Sequence, residues 1–307
     1  MIIVFGSLNM DMIMPVNHFP EPGETILSGD YITRAGGKGS NQAMAAGRVD
    51  AKTAIVGKIG DDSFGRRSIK NLKHQSILSS GVGIADRPTG CAMIMVNKEG
   101  ENTVAVASGA NLETTADQVP DEILTERNTL LTQMEITPEE TWKVIHRAYQ
   151  NNCRTILNAS PVGNIPNEVL SDLDFLIINE KESEQLIEKL GMEAETIEAS
   201  ARKIADLGDL TAIITLGRKG LIAISRNEGW RLPALDVDPV DTTGAGDCFC
   251  GVFAACLDRG DNIPNALHRA SIAGGLSCLE LGAQTGMPFN DNIDEYLESF
   301  PLPEKIF

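Results

Sequence analysis

Asp247 stands at the end of Asp241-Thr242-Thr243-Gly244-Ala245-Gly246, directly before the apolar run Cys248-Phe249-Cys250-Gly251-Val252-Phe253-Ala254-Ala255. Two glycines and an alanine let the backbone pass close to a ligand with no side chain in the way. The helix that follows begins with N–H groups lacking internal partners and with the positive end of its dipole. Together these make an anion hole suited to a phosphate. A carboxylate beside it can take the proton from a hydroxyl that attacks phosphorus. An aspartate at a helix start also serves as a cap, so this segment alone fits both readings.

A second run, Gly36-Gly37-Lys38-Gly39-Ser40-Asn41-Gln42-Ala43-Met44-Ala45-Ala46-Gly47, could present backbone N–H groups, Lys38 and Asn41 to a polyhydroxylated ligand. It is not a P-loop, because Gly39 follows Lys38 where Ser or Thr is required and Ile32 stands where the first glycine belongs. The Rossmann G-x-G-x-x-G spacing is missing too. A tight turn with close helix packing explains the same glycines. The third segment, Gly6-Ser7-Leu8-Asn9-Met10-Asp11, ends the first strand. Period-two alternation puts Asn9 and Asp11 on one face. An amide beside a carboxylate is a natural reader of vicinal hydroxyls, or else a polar strand edge in water.

These groups need a scaffold, and the chain alternates strand-like and helix-like stretches. Strands are expected at Ile2–Phe5, Thr53–Ile59, Thr129–Gln133, Thr155–Leu157, Phe175–Ile178 and Ala212–Thr215. Helices are expected at Asn41–Val49, Pro138–Gln150, Glu180–Leu190 and Glu198–Leu207, then Ala245–Arg259, Pro264–Leu281 and Asn292–Ser299. Such alternation implies an α/β fold, a parallel sheet with helices on both faces. Asp11–Val16, Thr25–Thr33, Cys91–Val96 and Thr103–Ala107 read as strands with no helix between them. Asn97–Asn102 would be a polar hairpin connection between the last two. The four form a small projecting sheet whose uncovered face needs a ligand or a second subunit.

Composition narrows the function. Of 307 residues, 42% are hydrophobic and 26 basic residues face 43 acidic ones, a formal charge of −17. That field disfavours nucleic acid or an anionic membrane surface as partner. No apolar run approaches a membrane span, and the start reads as a strand and not a signal peptide, so a cytoplasmic location is expected. The six cysteines form no C-x-x-C pair and are expected to be reduced. The four histidines lack metal-ligand spacing.

In this order the three segments resemble the signatures of the ribokinase-like (PfkB) family of sugar kinases, and the similarity runs along essentially the whole chain. Further similar stretches are Phe19-Pro20-Glu21-Pro22-Gly23-Glu24-Thr25, Ser108-Gly109-Ala110-Asn111, Asn158-Ala159-Ser160-Pro161, Asn179-Glu180-Lys181-Glu182-Ser183-Glu184 and Gly282-Ala283-Gln284. The resemblance implies one ribokinase-like three-layer αβα domain over residues 1–307, with a central mostly parallel sheet. A small β-sheet lid would come from segments of about 11–34 and 91–107. It implies phosphorylation of D-ribose at its 5-hydroxyl by ATP with Mg2+ and K+, in a homodimer formed through the lid.

By the same resemblance Asp247 would be the general base, and Gly244, Ala245 and Gly246 would hold the γ-phosphate. Asn9, Asp11, Gly37, Lys38, Asn41 and Glu135 would bind the sugar. Asn179, Thr215, Gly217, Gly220, Gly246 and Ser271 would serve the nucleotide, with Glu182 organising magnesium through water. Asp241, Thr243, Ser277, Glu280, Gly282 and Gly286 match the positions that hold a monovalent cation. Gly286 departs from the family's pattern, where a serine hydroxyl often contributes. Met10 also departs, and alternation turns it away from the sugar. Transfer to deoxyribose, fructose or a nucleoside is the nearest alternative. A non-catalytic sugar-binding protein is the alternative of a different class, against which an intact Asp247 and anion hole speak.

Overall fold

Strand β1 (Ile2–Phe5) is apolar at every position because helices cover both its faces. Ile2 and Val4 belong to one hydrophobic cluster, Ile3 and Phe5 to another on the opposite side of the sheet. The computed structural model describes residues 1–99 and 101–307; Gly100, within the hairpin connection expected at Asn97–Asn102, lies outside the described residues. In chain order the next elements are β2 (Asn9–Pro15), β3 (Ile32–Gly36), α1 (Lys38–Arg48), β4 (Thr53–Gly60), α2 (Ser63–His74), β5 (Leu78–Ala85), β6 (Gly90–Val96) and β7 (Asn102–Ala107). There follow β8 (Thr129–Gln133), α3 (Pro138–Gln150), β9 (Arg154–Asn158), α4 (Asn167–Ser171), β10 (Phe175–Asn179), α5 (Glu180–Lys189), α6 (Ile197–Gly208) and β11 (Thr211–Thr215). The chain closes with β12 (Leu221–Ile224), β13 (Gly229–Leu232), α7 (Ala245–Arg259), α8 (Ile263–Leu276), α9 (Asn290–Asp294) and β14 (Glu304–Lys305).

Ten strands form the central sheet in the order β14-β13-β12-β11-β10-β9-β8-β1-β4-β5. From β11 to β5 the pairs are parallel; β12, β13 and β14 add an antiparallel edge. One cluster packs α1, α7 and α8 on the first face, through residues such as Met44, Phe253 and Leu267. The other packs α3 to α6 on the second, through Val144, Leu170, Leu186 and Ile204. The ribokinase-like three-layer arrangement expected from the resemblance is therefore present. Among the described residues no helix is long and apolar enough to cross a membrane. All six cysteines are free.

The second sheet has the order β3-β2-β6-β7. Its register aligns Asp11 with Arg34 and Ala92, Ala92 with Val106, and Ile13 with Ile32 and Ile94. Asp11 therefore shares a face with Ile13, Ile32, Ile94, Val104 and Val106. Val104 and Val106 are each 50% exposed on that face.

Several boundaries differ from the sequence reading. The strand expected at Thr25–Thr33 lies instead at Ile32–Gly36, because pairing with β2 sets it: Gly36 sits opposite Asn9 and Ile32 opposite Ile13. Helix α8 stops at Leu276, followed by a 3-10 turn at Ser277–Leu279, and does not run to Leu281. The helix expected at Asn292–Ser299 is α9, Asn290–Asp294.

Candidate active site

In an open parallel sheet, ligands meet the loops beyond the carboxyl ends of the strands. Here those ends carry Ser7 after β1, Glu135 after β8, Asn158 of β9, Asn179 of β10 and Thr215 of β11. Lys38, Asn158, Asn179, Glu182, Thr215, Gly244, Gly246 and Asp247 line one cleft of about 230 Å³ at this edge.

Asp247, in the first turn of α7, is 6% exposed. Asn41 donates from Nδ2 to its Oδ2 at 2.9 Å, and Gln42 donates from Nε2 to its Oδ1 at 3.0 Å. Two amides on successive residues of α1 thus fix the carboxylate plane and leave further lone pairs on each oxygen for an incoming hydroxyl. The cap reading of Asp247 does not describe this geometry, since its carboxylate is held by another helix. The close crossing of α1 and α7 makes it possible. A Cβ on Gly251 would lie 2.4 Å from the Gln42 carbonyl oxygen and 2.7 Å from Ala45 Cβ.

The amides are themselves held. Gln284 donates from Nε2 to Asn41 Oδ1 at 3.0 Å and to Ser40 Oγ at 2.9 Å. Gln133 donates to Gln42 Oε1 at 2.7 Å, while Gln42 Nε2 also reaches Asn158 Oδ1 at 3.1 Å. A buried amide network holds one geometry when its members are paired, and here Gln133 Oε1 is buried without a partner. Gln42, Gln133, Asn158 and Gln284 were not identified as site residues from the sequence. The available signals were Gln42 beside Asn41 in a small-residue helix and the family-like stretches that contain Asn158 and Gln284.

Gly244, with φ +80°, caps the start of α7 and makes no side-chain cap hydrogen bond. Ala245 N donates to Thr242 O at 3.2 Å, which leaves the N–H groups of Gly246 and Asp247, next to the cleft, without a helical partner and suited to an anion. A Cβ on Gly246 would meet nothing within 4 Å. The loop is tied down by Asp241, whose carboxylate accepts from Thr243 N at 2.9 Å and Gly282 N at 2.8 Å.

On the small-sheet side, Glu135 Oε2 accepts from Ser7 Oγ at 2.6 Å and Lys38 N at 3.0 Å. Asn9 Oδ1 accepts from Asn111 Nδ2 at 2.7 Å, and Asn111 Oδ1 accepts from Leu8 N. Burial pushes the Asp11 carboxyl up to about 7, and the neighbouring Glu135 and Asp247 carboxylates add to the effect. Burial works against the Lys38 ammonium, but Asp247, Glu135 and Glu182 outweigh it and raise its pKa. Three carboxylates and one lysine thus converge where sugar hydroxyls would be read. Met10 is fully buried, as alternation requires.

Asn179 and Glu182 form a capping box on α5: Asn179 Oδ1 accepts from Glu182 N, and Glu182 Oε2 accepts from Asn179 N. Gly217, Gly220 and Ser271 do not line the cleft. Gly220, φ +97°, allows close approach to β13, since a Cβ there would lie 1.9 Å from Leu232 O. Ser271 is half-buried on α8, one turn before Gly274, whose Cβ direction points at Ala245 O. Ser277, Glu280, Gly282 and Gly286 gather in the loop that follows α8. A Cβ on Gly286 would lie 2.3 Å from Ser277 O, so backbone fills the place of a side chain.

Residues 1–290 match the pfkB family carbohydrate kinase description. The chain belongs to that family, and with this site it is a sugar kinase. It is 34% identical to the ribokinase of Bacillus subtilis (strain 168) over 299 residues, 96% of this chain and 99% of that protein. Among solved structures it is similar to the ribokinase of Thermotoga maritima, with TM-score 0.91, 35% identity and coverage of 97% and 99% of the two chains. It is also similar to the Arabidopsis thaliana ribokinase complexed with ribose and ATP, with TM-score 0.88, 29% identity and coverage of 97% and 98%.

Proposed function

We propose that this kinase transfers the γ-phosphoryl group of ATP to the 5-hydroxyl of D-ribose, giving D-ribose 5-phosphate and ADP. The observation that carries the reading is the Asp247 carboxylate, fixed by Asn41 and Gln42 beside the open Gly244–Gly246 turn. Asp247 takes the proton of the 5-hydroxyl as its oxygen bonds to the γ-phosphorus. The bond from that phosphorus to the β,γ-bridging oxygen breaks, and its electron pair leaves with ADP. The N–H groups of the Gly244–Gly246 turn stabilise charge on the transferring group, Gly246 above all, since Ala245 N already donates to Thr242 O. Asn9, Asp11, Gly37, Lys38, Asn41 and Glu135 hold the furanose hydroxyls. Thr215 and Asn179 line the nucleotide side, with Gly217, Gly220 and Ser271 further along it.

Among the described residues no group of three or more His, Cys, Asp or Glu side chains could hold a metal by itself. Magnesium would arrive with the nucleotide phosphates, neutralising their charge, and Glu182 in the cleft wall fits a contact through water. The residues that the resemblance assigns to a monovalent cation, Asp241, Thr243, Ser277, Glu280, Gly282 and Gly286, lie in the Asp241 loop and the loop after α8, which Asp241 joins by accepting from Gly282 N at 2.8 Å; Gly286 adds no hydroxyl. Potassium activation is expected. The small sheet serves as a lid, and its exposed apolar face around Val104 and Val106 fits a homodimer made through it.

A coupled ADP-release assay with magnesium-ATP and a panel of ribose, deoxyribose, fructose and nucleosides, with and without potassium, tests this. Ribose should show the highest kcat/KM. Preference for another acceptor would keep the Asp247 chemistry and overturn the specificity. Ribose binding without turnover would point to the non-catalytic alternative.

A further inference from the structure

A cavity of about 790 Å³ lies between β3, α1 and α2, away from the Asp247 cleft. Arg34, Arg48, Arg67 and Lys70 line it, with His74 beside them and no acidic side chain. In a chain with 26 basic and 43 acidic residues this concentration runs against the overall charge. Helix α2 supplies Arg67, Lys70 and His74, while Arg34 comes from β3 and Arg48 from α1.

Among the described residues none of these five side chains forms an ion pair. Neutral oxygens hold the guanidinium groups. Arg34 donates to Leu281 O at 2.8 Å and to Thr285 Oγ1, Arg67 to Thr33 O at 2.9 Å and to Thr33 Oγ1, and Arg48 to the Thr285 and Met287 carbonyls. Arg48 Nε is buried without a partner. Neutral acceptors orient a guanidinium and leave its charge available to an anion. Ile32 and Met44 give the same cavity an apolar wall.

We infer that this cavity binds a phosphorylated small molecule carrying two or more negative charges. Its phosphate lies toward Arg67 and Lys70, its carbon skeleton against Ile32 and Met44. Occupancy reaches the reacting groups through a short chain of amides. Asn71, on the cavity wall, donates to Gln284 Oε1 at 2.6 Å. Gln284 donates to Asn41, and Asn41 to Asp247. A ligand that draws on Asn71 or on the Arg34-held loop changes the grip on Asp247, and so changes kcat.

Calorimetric titration of inorganic pyrophosphate into the full chain, with ADP and ribose saturating the Asp247 cleft and no magnesium, tests the site. ADP alone fills the nucleotide side if ribose does not bind, so the outcome does not depend on the sugar assignment. One equivalent should bind. The double substitution Arg67→Gln/Lys70→Gln should weaken it by about tenfold or more, while Lys73→Gln, on the same helix but outside the cavity, should not. Retained ADP affinity shows that the double variant is folded. No binding to the unsubstituted protein, or equal binding by the double variant, overturns the site. Displacement of pyrophosphate by a sugar bisphosphate or by a nucleotide tells which source of phosphate it prefers. The better displacer should change kcat by about twofold or more in the unsubstituted protein only; an unchanged kcat overturns the coupling.

Discussion

Two glycine-rich turns lead into two helices, and they use the space left by a missing side chain in opposite ways. At Gly37 and Gly39 protein backbone fills it: a Cβ would lie 2.7 Å from Asn9 N and 2.6 Å from Ser7 N respectively. At Gly246 a Cβ would meet nothing within 4 Å, and the space belongs to the cleft. The first turn brings α1 against β1 and β2, so that Lys38, Asn41 and Gln42 arrive beside Asp247. The second leaves room for a phosphate at the start of α7. Glycine permits close approach in both, but only the neighbours decide whether backbone or ligand approaches.

The largest effect is expected at the chemical centre. Asp247→Asn should lower kcat by roughly a thousandfold, within the span of general-base losses, with ADP still bound; a rate within tenfold of the parent would remove Asp247 as the base. The two turns should then separate by assay. Gly39→Ala should cost about 2 kcal/mol of stability in urea unfolding, because the clash is with backbone that cannot swing aside. Gly246→Ala should leave the unfolding midpoint nearly unchanged and lower kcat by about tenfold or more, its methyl crowding the phosphate. The reverse pattern would show that the turns had been assigned the wrong way round.

A smaller effect sharpens the site between the turns. Asp11 is held near 7 in the folded protein against an ordinary value of 3.8. Between those values the folded chain keeps a proton that the unfolded chain has lost, so this group makes stability fall as pH rises from about 4 through 7. Asp11→Asn should flatten that slope in pH-dependent unfolding. In the parent, sugar KM should fall as pH rises through 7, since the ionised carboxylate is the better acceptor; a KM independent of pH would remove Asp11 from sugar binding.

Strand β1 and helices α3 and α7 were legible to the residue, because an apolar run or a helical stripe bounded by a breaker is a local signal. Helix α2 was missed: Ser63–His74 is mostly polar, with Ser68 and Leu72 among its few buried side chains. Strands β5, β12, β13 and β14 were missed as well, being short or partly exposed strands whose existence depends on a neighbour already in place. The second strand of the small sheet was misplaced because Tyr31, Ile32 and Thr33 look strand-like in any register, and only β2 chooses one.

Asp247, Lys38, Asn41 and the glycine turns could be singled out by type and spacing, because an anion hole at a helix start is written in contiguous residues. What surrounds them could not. Gln42 reaches Asp247 across 205 residues of chain, and Gln284 reaches Asn41 across 243. The residue types that do chemistry, and the alternation that builds a parallel sheet, are local properties that need no folded neighbour to be read. The orientation of the Asp247 carboxylate, the backbone-filled space at Gly39 and the open space at Gly246 were decided by tertiary structure. Each depends on which distant backbone or amide the packed helices bring within a few ångströms.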